Sequence, residues 1–533
     1  MGCWTVTQRD LEAQEALDTR LASLTSWDAD WAGLRVVVTG IGISGFAAAD
    51  TLIELGAHVV VVDSATTEKA MAHADTLRIV GAQDVLLGEE AVASLPEVDS
   101  QAPDLVVTSP GWHPDQALLA EAARRHIAVW GDVELAWRLR IREGRKTAEW
   151  LTITGTNGKT TTVGLTESML QAAGLKAIAV GNVGTPILDA LRDPVEYDAF
   201  AVELSSFQLH WSHSLAPLAS VCLNVAEDHV DWHGSYEAYL QDKASVYANT
   251  KVACIYNAES PETEHMVMEA DVQEGCRAVA FTTNTPAISM VGVVEDLLVD
   301  RAFIAERKDS AKELAAIADL GAIAPRHMVA NALAAAALVR AYGVDATAVR
   351  EGIKNYVPGD HRIQAVAKSK GILWVNDSKA TNPHAAAASL AAFSSVVWIA
   401  GGLPKGVSYD QLVIDHVSRL KAVVLIGEDS STLRSALERH APNVPVIEPG
   451  TGETEDAQSE RPVSETHITS KSGERVMSMA VNAAAQVAVD GDTVLMAPAS
   501  ASMDQFSSYA HRGEAFIQAV RELVEGQAQT SEE

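Results

Sequence analysis

The residues best able to do chemistry stand in one short run, Thr154-Gly155-Thr156-Asn157-Gly158-Lys159-Thr160-Thr161-Thr162. It ends as a phosphate-binding loop ends, Gly-Lys-Thr, but the usual spacing G-x-x-x-x-G-K-[ST] asks for glycine where Ile153 stands. An apolar strand, WLTITG, precedes the run, and a helix, TTTVGLTESMLQAAG, follows it to a glycine stop. In that setting Gly155 and Gly158 let backbone N–H groups converge on an anion, reinforced by the helix dipole. Lys159 adds a point charge for β- and γ-phosphates, and the Thr160 hydroxyl can ligate Mg²⁺. A structural turn needs no lysine followed by hydroxyls, so the run is expected to bind phosphate.

Carboxylates and imidazoles gather downstream. Glu203 ends the strand DAFAVE and precedes LSSFQL, and the strand ASVCLNV runs into Ala226-Glu227-Asp228-His229-Val230-Asp231-Trp232-His233. Strand C-termini of a parallel sheet share one edge, which places Glu203 and His229 facing Thr160 around a metal bound to ATP. Taken singly, each reads as a polar strand-end group. A second loop, Gly40-Ile41-Gly42-Ile43-Ser44-Gly45, fits G-x-G-x-x-G, with Asp63 about twenty residues on. NAD(P), another nucleotide and simple strand–helix packing are all open readings of that loop. No hydride-transfer site stands out after it.

Positioning these groups takes more than one core, because 533 residues predict two to four domains. Apolar residues make up 47% and charged ones 21%, the balance of a globular enzyme. Forty basic residues against 71 acidic ones leave a net charge of −31, which disfavours nucleic acid and anionic membranes as partners. A phosphate ligand must then be held by a local site. Cys3, Cys222, Cys254 and Cys276 show no C-x-x-C or zinc spacing, so a reduced, cytoplasmic protein is expected.

The N-terminus lacks a basic-then-apolar signal and reads as an amphipathic helix or an arm. No apolar run approaches the ~18 residues of a membrane span. The longest, 328–339, reads as an alanine-rich buried helix.

Runs rich in β-branched residues alternate with helical patterns in three groups, predicting an α/β fold with mostly parallel sheets. The first group holds RVVVTG, HVVVVDS and DLVVTSPG. The second holds WLTITG, KAIAVG, DAFAVELSS, ASVCLNV and VACIYN, and the third ILWVNDS, VVWIAGG, AVVLIGE and TVLMAPAS. Boundaries fall near Gly131 and at Pro358-Gly359. The acidic segment 449–475 reads as a surface loop.

A resemblance now enters. GTNGKTT (155–161), GNVGTP (181–186), ELSSFQL (203–209), NVAEDHVDWHG (224–234), the Asn331 helix, HR (361–362), NDSKATN (376–382) and PASASMDQF (498–506) follow the order found in the Mur ligases. SPG (109–111) and GDVELAWR (131–138) extend the likeness to nearly the whole chain. It is strongest to the member that adds D-glutamate to UDP-N-acetylmuramoyl-L-alanine in peptidoglycan precursor synthesis. The phosphate loop is shared with sister ligases and with folylpolyglutamate synthase.

The resemblance implies three domains: a Rossmann-like one over 1–131 that binds the UDP substrate, a central P-loop-type ATPase over 132–357, and a Rossmann-like one over 358–533 that closes over ATP and D-glutamate. It implies catalysis by Lys159, His229, Lys243 and Lys379. ATP contacts fall on Gly155, Thr156, Asn157, Gly158, Lys159, Thr160, Thr161, Asn331, Arg362 and Asp377. The UDP substrate maps to Ser44, Asp63, Ser64, Asn182 and Ser205, and D-glutamate to Thr381, Lys405, Ser502 and Tyr509. Mg²⁺ maps to Thr160, Glu203, His229 and Lys243, the last as a CO₂-derived carbamate. A cytoplasmic monomer acting on small molecules is expected.

Read alone, Lys243 beside Asp242 is a solvated helix lysine, and Lys405 in GGLPKG a solvated turn lysine. The sequence also departs from the family pattern. The Asn331 helix starts RHM in place of His-Asn, Ala65 follows where a basic residue can stand, and Tyr509 replaces a common phenylalanine. The alternatives are a sister ligase for another amino acid, a nicotinamide-dependent oxidoreductase and a non-catalytic nucleotide-binding protein.

Overall fold

A computed structural model describes residues 8–321, 323–404, 406–449 and 470–532. Lys405, Cys3 and most of the acidic segment (450–469) lie outside the described residues. The chain divides into two compact units, one of 1–324 with 328–356 and one of 325–327 with 357–533.

The first unit opens with a helix, Gln8–Ser23. A five-stranded parallel sheet follows, built from β1 (Arg35–Thr39), β2 (His58–Asp63), β3 (Asp84–Leu87), β4 (Leu105–Thr108) and β5 (Ala128–Gly131) in the order β3-β2-β1-β4-β5. Its central strands are valine runs buried on both faces, as a doubly wound sheet requires. The glycine loop follows β1, where the strand order reverses, the position at which such sheets bind ligands.

The second sheet of this unit has nine strands. These are β6 (Glu149–Thr154), β7 (Ala177–Gly181), β8 (Ala199–Glu203), β9 (Ala219–Cys222), β10 (Ala253–Asn257), β11 (Arg277–Phe281), β12 (Met290–Val294), β13 (Leu297–Asp300) and β14 (Lys312–Ala316). The order is β14-β13-β12-β11-β10-β9-β6-β8-β7, with β12–β14 pairing antiparallel. That meander was not read from the sequence, whose strands there are short and interrupted. Strand β6 sits at the reversal, between β8 and β9. The alanine-rich run lies in the helix Arg326–Tyr342, whose stretch Ala332–Val339 is fully buried against the sheet, as expected.

One apolar cluster joins the two sheets, running from Trp31 and Leu52 through Trp137 to Trp150 and Phe200. The helix Asp132–Leu139 lies inside it, so the boundary expected near Gly131 falls within continuous packing.

The other unit holds β15 (Gln364–Ser369), β16 (Ile372–Asn376), β17 (Val396–Gly401), β18 (Leu420–Ile426), β19 (Val446–Ile447) and β20 (Thr493–Met496), ordered β15-β16-β20-β17-β18-β19. Only β15 runs antiparallel. Separate cores cover its two faces. The expected loop 449–475 is corrected at its end, because a helix, Ser470–Val487, already begins there. Among the described residues no helix is long and apolar enough to cross a membrane.

Candidate functional site

The phosphate loop leaves the C-terminal end of β6. Gly158 holds φ +90° at the head of the helix Lys159–Ala172, and a Cβ there would meet the Asn331 side-chain oxygen at 2.4 Å. Only glycine satisfies both demands, and the contact places Asn331 against the loop. Asn224 braces the loop from β9's continuation, accepting from the Asn157 N–H at 2.9 Å and donating to the Asn157 carbonyl at 3.0 Å. The Thr156 hydroxyl, itself buried, accepts from Ala226 N–H at 3.0 Å and is hydrogen-bonded to the Tyr239 hydroxyl at 2.8 Å. Thr160 lies half-buried at the helix start, and Thr161 is buried behind it.

Two ammonium groups converge on one carbonyl oxygen. Lys159 donates to Gly155 O at 2.8 Å and to Thr156 O at 3.0 Å, while Lys243 donates to the same Gly155 O at 3.1 Å. Lys243 lies in the helix Tyr236–Ala244 and is 2% exposed. The surface-lysine reading is therefore wrong. The helix turns inward because Tyr239 and Lys243, one turn apart, both face the loop. Burial, with Lys159 nearby, pushes the Lys243 ammonium down to about 7.

Glu203 ends β8 on the same sheet edge and is 2% exposed. Its Oε1 accepts from Asn182 at 3.0 Å, whereas its Oε2 is shielded from solvent with no hydrogen-bond partner. An orphaned carboxylate oxygen beside a phosphate loop suits a hard cation, with the Thr160 hydroxyl as a second oxygen donor. His229 sits more openly, in a left-handed conformation (φ 52°) at the start of the short helix Val230–His233, its ring 4.8 Å from Phe207. Among the described residues no three His, Cys, Asp or Glu side chains converge on a metal site, so the candidate set offers one carboxylate and one imidazole.

A relay missed from sequence lies alongside. Asp242 accepts from His233 Nδ1 at 2.8 Å and from His210 Nδ1 at 3.0 Å, and His233 Nε2 meets the Ser206 hydroxyl at 3.0 Å. The two imidazoles hold the Asp242 carboxyl below its ordinary range against the cost of burial. Serine, histidine and aspartate stand as in a hydrolytic triad, but Ser206 and the His233 ring are buried. The chain tie here is positional: it pins the Lys243 helix to the helix Ser206–His210. Ser205 caps the latter in a reciprocal capping box with Gln208.

At the glycine loop, Asp63 Oδ2 accepts from Ile41 N–H at 2.7 Å and Oδ1 from Ala65 N–H at 2.8 Å. This carboxylate shapes its own turn. Ser44 stands close to Asp132 and tempers the rise that burial imposes on that carboxyl, and Ser64 is exposed. A Cβ at Gly45 would meet Gly40 O at 1.9 Å, so the helix Ile43–Glu54 packs directly on the loop. Beside it, Ser109 Oγ and Asp132 Oδ1 are shielded and unpartnered. Both lay in stretches quoted from the sequence, but nothing local distinguished them.

In the other unit the candidates share the C-terminal sheet edge. Asp377 follows β16, accepts from Ile363 N–H at 3.2 Å and from the Ser389 hydroxyl, and is pushed up to about 6 by burial. Arg362 moderates that shift. Lys379 Nζ lies 3.7 Å from the Tyr509 ring centroid, and its carbonyl accepts from Thr381 N–H at 2.8 Å. Ser502 is buried in the turn after β20. Arg512, missed from sequence, is fully buried and joins these turns, donating to Ser378 Oγ at 3.0 Å, Ser378 O at 3.0 Å and Ser500 O at 3.1 Å. Burial lowers it to about 9, because those acceptors are all neutral.

Two family models match this chain: the Mur ligase middle domain over residues 153–339 and the Mur ligase glutamate ligase domain over 361–500. The chain is 49% identical to the UDP-N-acetylmuramoylalanine--D-glutamate ligase of Leifsonia xyli subsp. xyli, covering 96% of this chain and 97% of that protein. It is 51% identical to the ligase of the same name from Streptomyces avermitilis, with 93% and 99% covered.

The chain belongs to the Mur ligase family.

Solved structures share the Mur ligase fold at low identity. The Acinetobacter baumannii UDP-N-acetylmuramoylalanyl-D-glutamyl-2,6-diaminopimelate--D-alanyl-D-alanyl ligase matches with TM-score 0.53 and 15% identity, covering 87% of this chain and 90% of that one. A pseudomurein peptide ligase type C from Methanothermus fervidus matches with TM-score 0.51 and 17% identity, covering 92% and 99%. In this Mur ligase, the matched middle-domain segment begins one residue before the phosphate loop's strand ends, at Ile153.

Proposed function

We propose that this Mur ligase joins the amine of D-glutamate to the alanyl carboxylate of UDP-N-acetylmuramoyl-L-alanine, converting ATP to ADP and phosphate, in cytoplasmic peptidoglycan precursor synthesis. The two relatives of that name, about half identical over nearly the whole chain, support the substrates. The observation that carries the chemistry is the meeting of Lys159, Lys243 and the orphaned Glu203 oxygen at one sheet edge.

A carboxylate is a poor acyl donor. Its oxygen attacks the γ-phosphorus, ADP leaves, and an acyl phosphate forms. The amine of D-glutamate then adds to the carbonyl carbon, the nitrogen gives up a proton to solvent, and phosphate leaves with the electron pair. Both steps crowd anions together, so concentrated positive charge lowers their barriers.

In this reading Gly155 to Thr161 cradle the ATP phosphates, and Lys159 exchanges its loop carbonyls for phosphate oxygens. Asn331, Arg362 and Asp377 are the adenosine-side candidates. Glu203, Thr160 and His229 would hold Mg²⁺, which supplies charge neutralisation between phosphates and carboxylate when bound. Ser44, Asp63, Ser64, Asn182 and Ser205 take the UDP substrate. Lys379, Thr381, Lys405, Ser502 and Tyr509 serve D-glutamate, and the functional division follows 1–131, 132–357 and 358–533. A monomer suffices for this chemistry.

Lys243 acts as a carbamate. An amine brought to about 7 is substantially neutral at physiological pH, and the neutral amine is the form that adds to CO₂. The product is an anion beside Lys159, so repulsion becomes attraction and oxygens face the cation site. The experiment is ATP-dependent phosphate release with UDP-N-acetylmuramoyl-L-alanine and ¹³C-bicarbonate present. Turnover requiring D-glutamate together with a carbamate resonance assigned to Lys243 is expected. Turnover without any label on Lys243 would remove the carbamate from the account.

A further inference from the structure

Away from the phosphate loop, two thiols meet that no spacing in the sequence brings together. Cys254 is the second residue of β10, and Cys276 stands immediately before β11. Because Ala253 pairs with Arg277 in the parallel register, the two cysteines lie diagonally across adjacent strands. Their sulfurs are 3.8 Å apart. They differ in access: Cys254 is buried in the apolar cluster, whereas Cys276 is partly exposed at its margin.

We propose that Cys254 and Cys276 form a peroxide-responsive dithiol, with Cys276 as the attacking thiol and Cys254 as the resolving one. Cys276 thiolate attacks one oxygen of hydrogen peroxide, breaking the O–O bond; hydroxide leaves and takes up a proton as water, and Cys276 becomes a sulfenic acid. The Cys254 sulfur then displaces that oxygen, losing its proton as the S–S bond forms and a second water departs. Two thiols are oxidised and one peroxide is reduced to two waters.

An accessible thiol beside a buried resolving partner is the arrangement that makes a redox-sensitive cysteine. The electrostatics agree. The hydrogen bond from Cys254 holds the Cys276 thiol below its ordinary range, while the same bond and burial raise Cys254. Cys222 makes a built-in comparison, buried and pushed up to about 11, with its sulfur on the Asn224 carbonyl at 3.9 Å. Closure needs the sulfurs to approach from 3.8 Å to bonding distance, a shift the half-exposed segment before β11 can supply.

The pair lies at the N-terminal edge of the strands. Cys276 stands level with the residue before Ala253, and the phosphate loop leaves the opposite edge after Thr154, about five residues or roughly 16 Å further along. Oxidation is thus expected to leave kcat unchanged while closing a loop that includes the helix Pro261–Met268 and raising the apparent Tm by several degrees.

The test treats the full-length chain with hydrogen peroxide and counts thiols after denaturation. The expected result is the loss of two thiols, a species lighter by two hydrogen atoms, a linked peptide pair carrying residues 254 and 276, and full reversal by dithiothreitol. In Cys254→Ser, dimedone should trap Cys276 several-fold more than in the wild type, because no partner resolves the sulfenic acid. Should that variant not fold, the wild type decides alone, since loss of the Cys276 thiol without a linked peptide overturns the proposal. Oxidation of Cys222 or Cys3 before Cys276 overturns it as well.

Discussion

The chain carries two clusters of positive charge, each with one fully buried member, and they are built differently. At the phosphate loop, Lys159 and Lys243 share the Gly155 carbonyl within one sheet edge. In the other unit, Arg512 is buried among neutral oxygens from two turns, and Lys379 lies over Tyr509. The first cluster is mutually repulsive and so stands ready to change state, by taking a phosphate or by losing a charge. The second is fixed by three hydrogen bonds and holds its charge. On the proposed function the first would serve phosphoryl transfer and the second the amino-acid carboxylates, two tasks that need these different properties.

The largest expected effect tests the first cluster. Lys159→Ala should lower phosphate release by about a thousandfold, in the range lost when a transition-state cation is removed. Its binding of the uridine nucleotide, followed by calorimetry, should persist. Equal loss of both in a folded variant would mean that the two loops of the first unit have been assigned wrongly.

Lys243 comes next. Lys243→Ala should be nearly inactive, with acetate restoring part of the turnover by occupying the vacated space. Stability should move the other way. The folded value near 7 lies below the ordinary 10.5, so the native state binds fewer protons than the unfolded one in between. Stability therefore rises with pH from 7 to 10.5, and the full penalty applies below 7. In CO₂-depleted buffer at pH 6, Lys243→Met should melt several degrees above the wild type. A lower Tm would contradict a buried, strained ammonium.

For the second cluster, Ser502→Ala should raise the KM for D-glutamate by about tenfold, one hydrogen bond to a charged group, and leave the KM for ATP nearly unchanged. A shift confined to ATP would reverse the assignment of the two clusters.

The smallest effect concerns the relay. His233→Gln keeps a polar side chain but loosens the link from Ser206 to Asp242, so kcat should fall several-fold with both KM values held. Parallel loss of substrate binding would show that the relay shapes the pocket rather than the Lys243 helix.

Much of this was legible because it is local. Gly158, Lys159 and Thr160 are contiguous, and Glu203 ends a strand whose apolar run is plain, so loop and edge followed from the pattern alone. The three-sheet α/β architecture followed from the valine and alanine runs. The short strands of the β12–β14 meander carried no such signal. Read from its neighbours alone, Lys243 looks solvated because Asp242 stands beside it, whereas its burial comes from Tyr239 anchoring the helix to Thr156, a contact between residues 83 apart in sequence. The Ser206–His233–Asp242 relay and Arg512 are likewise assembled from distant turns. The G-x-G-x-x-G loop gave the fold but not its ligand, because Asp63 is occupied by its own backbone.

The central claim is that the two clusters serve one ligation, and amino-acid dependence tests it most directly. Purified full-length protein is given ATP, Mg²⁺ and UDP-N-acetylmuramoyl-L-alanine with a panel of D- and L-amino acids, and phosphate release is followed alongside the mass of the uridine product. D-glutamate alone should drive stoichiometric phosphate release and a product heavier by one glutamyl residue. Turnover with a different amino acid and none with D-glutamate, or ATP hydrolysis that forms no amide, would contradict the account.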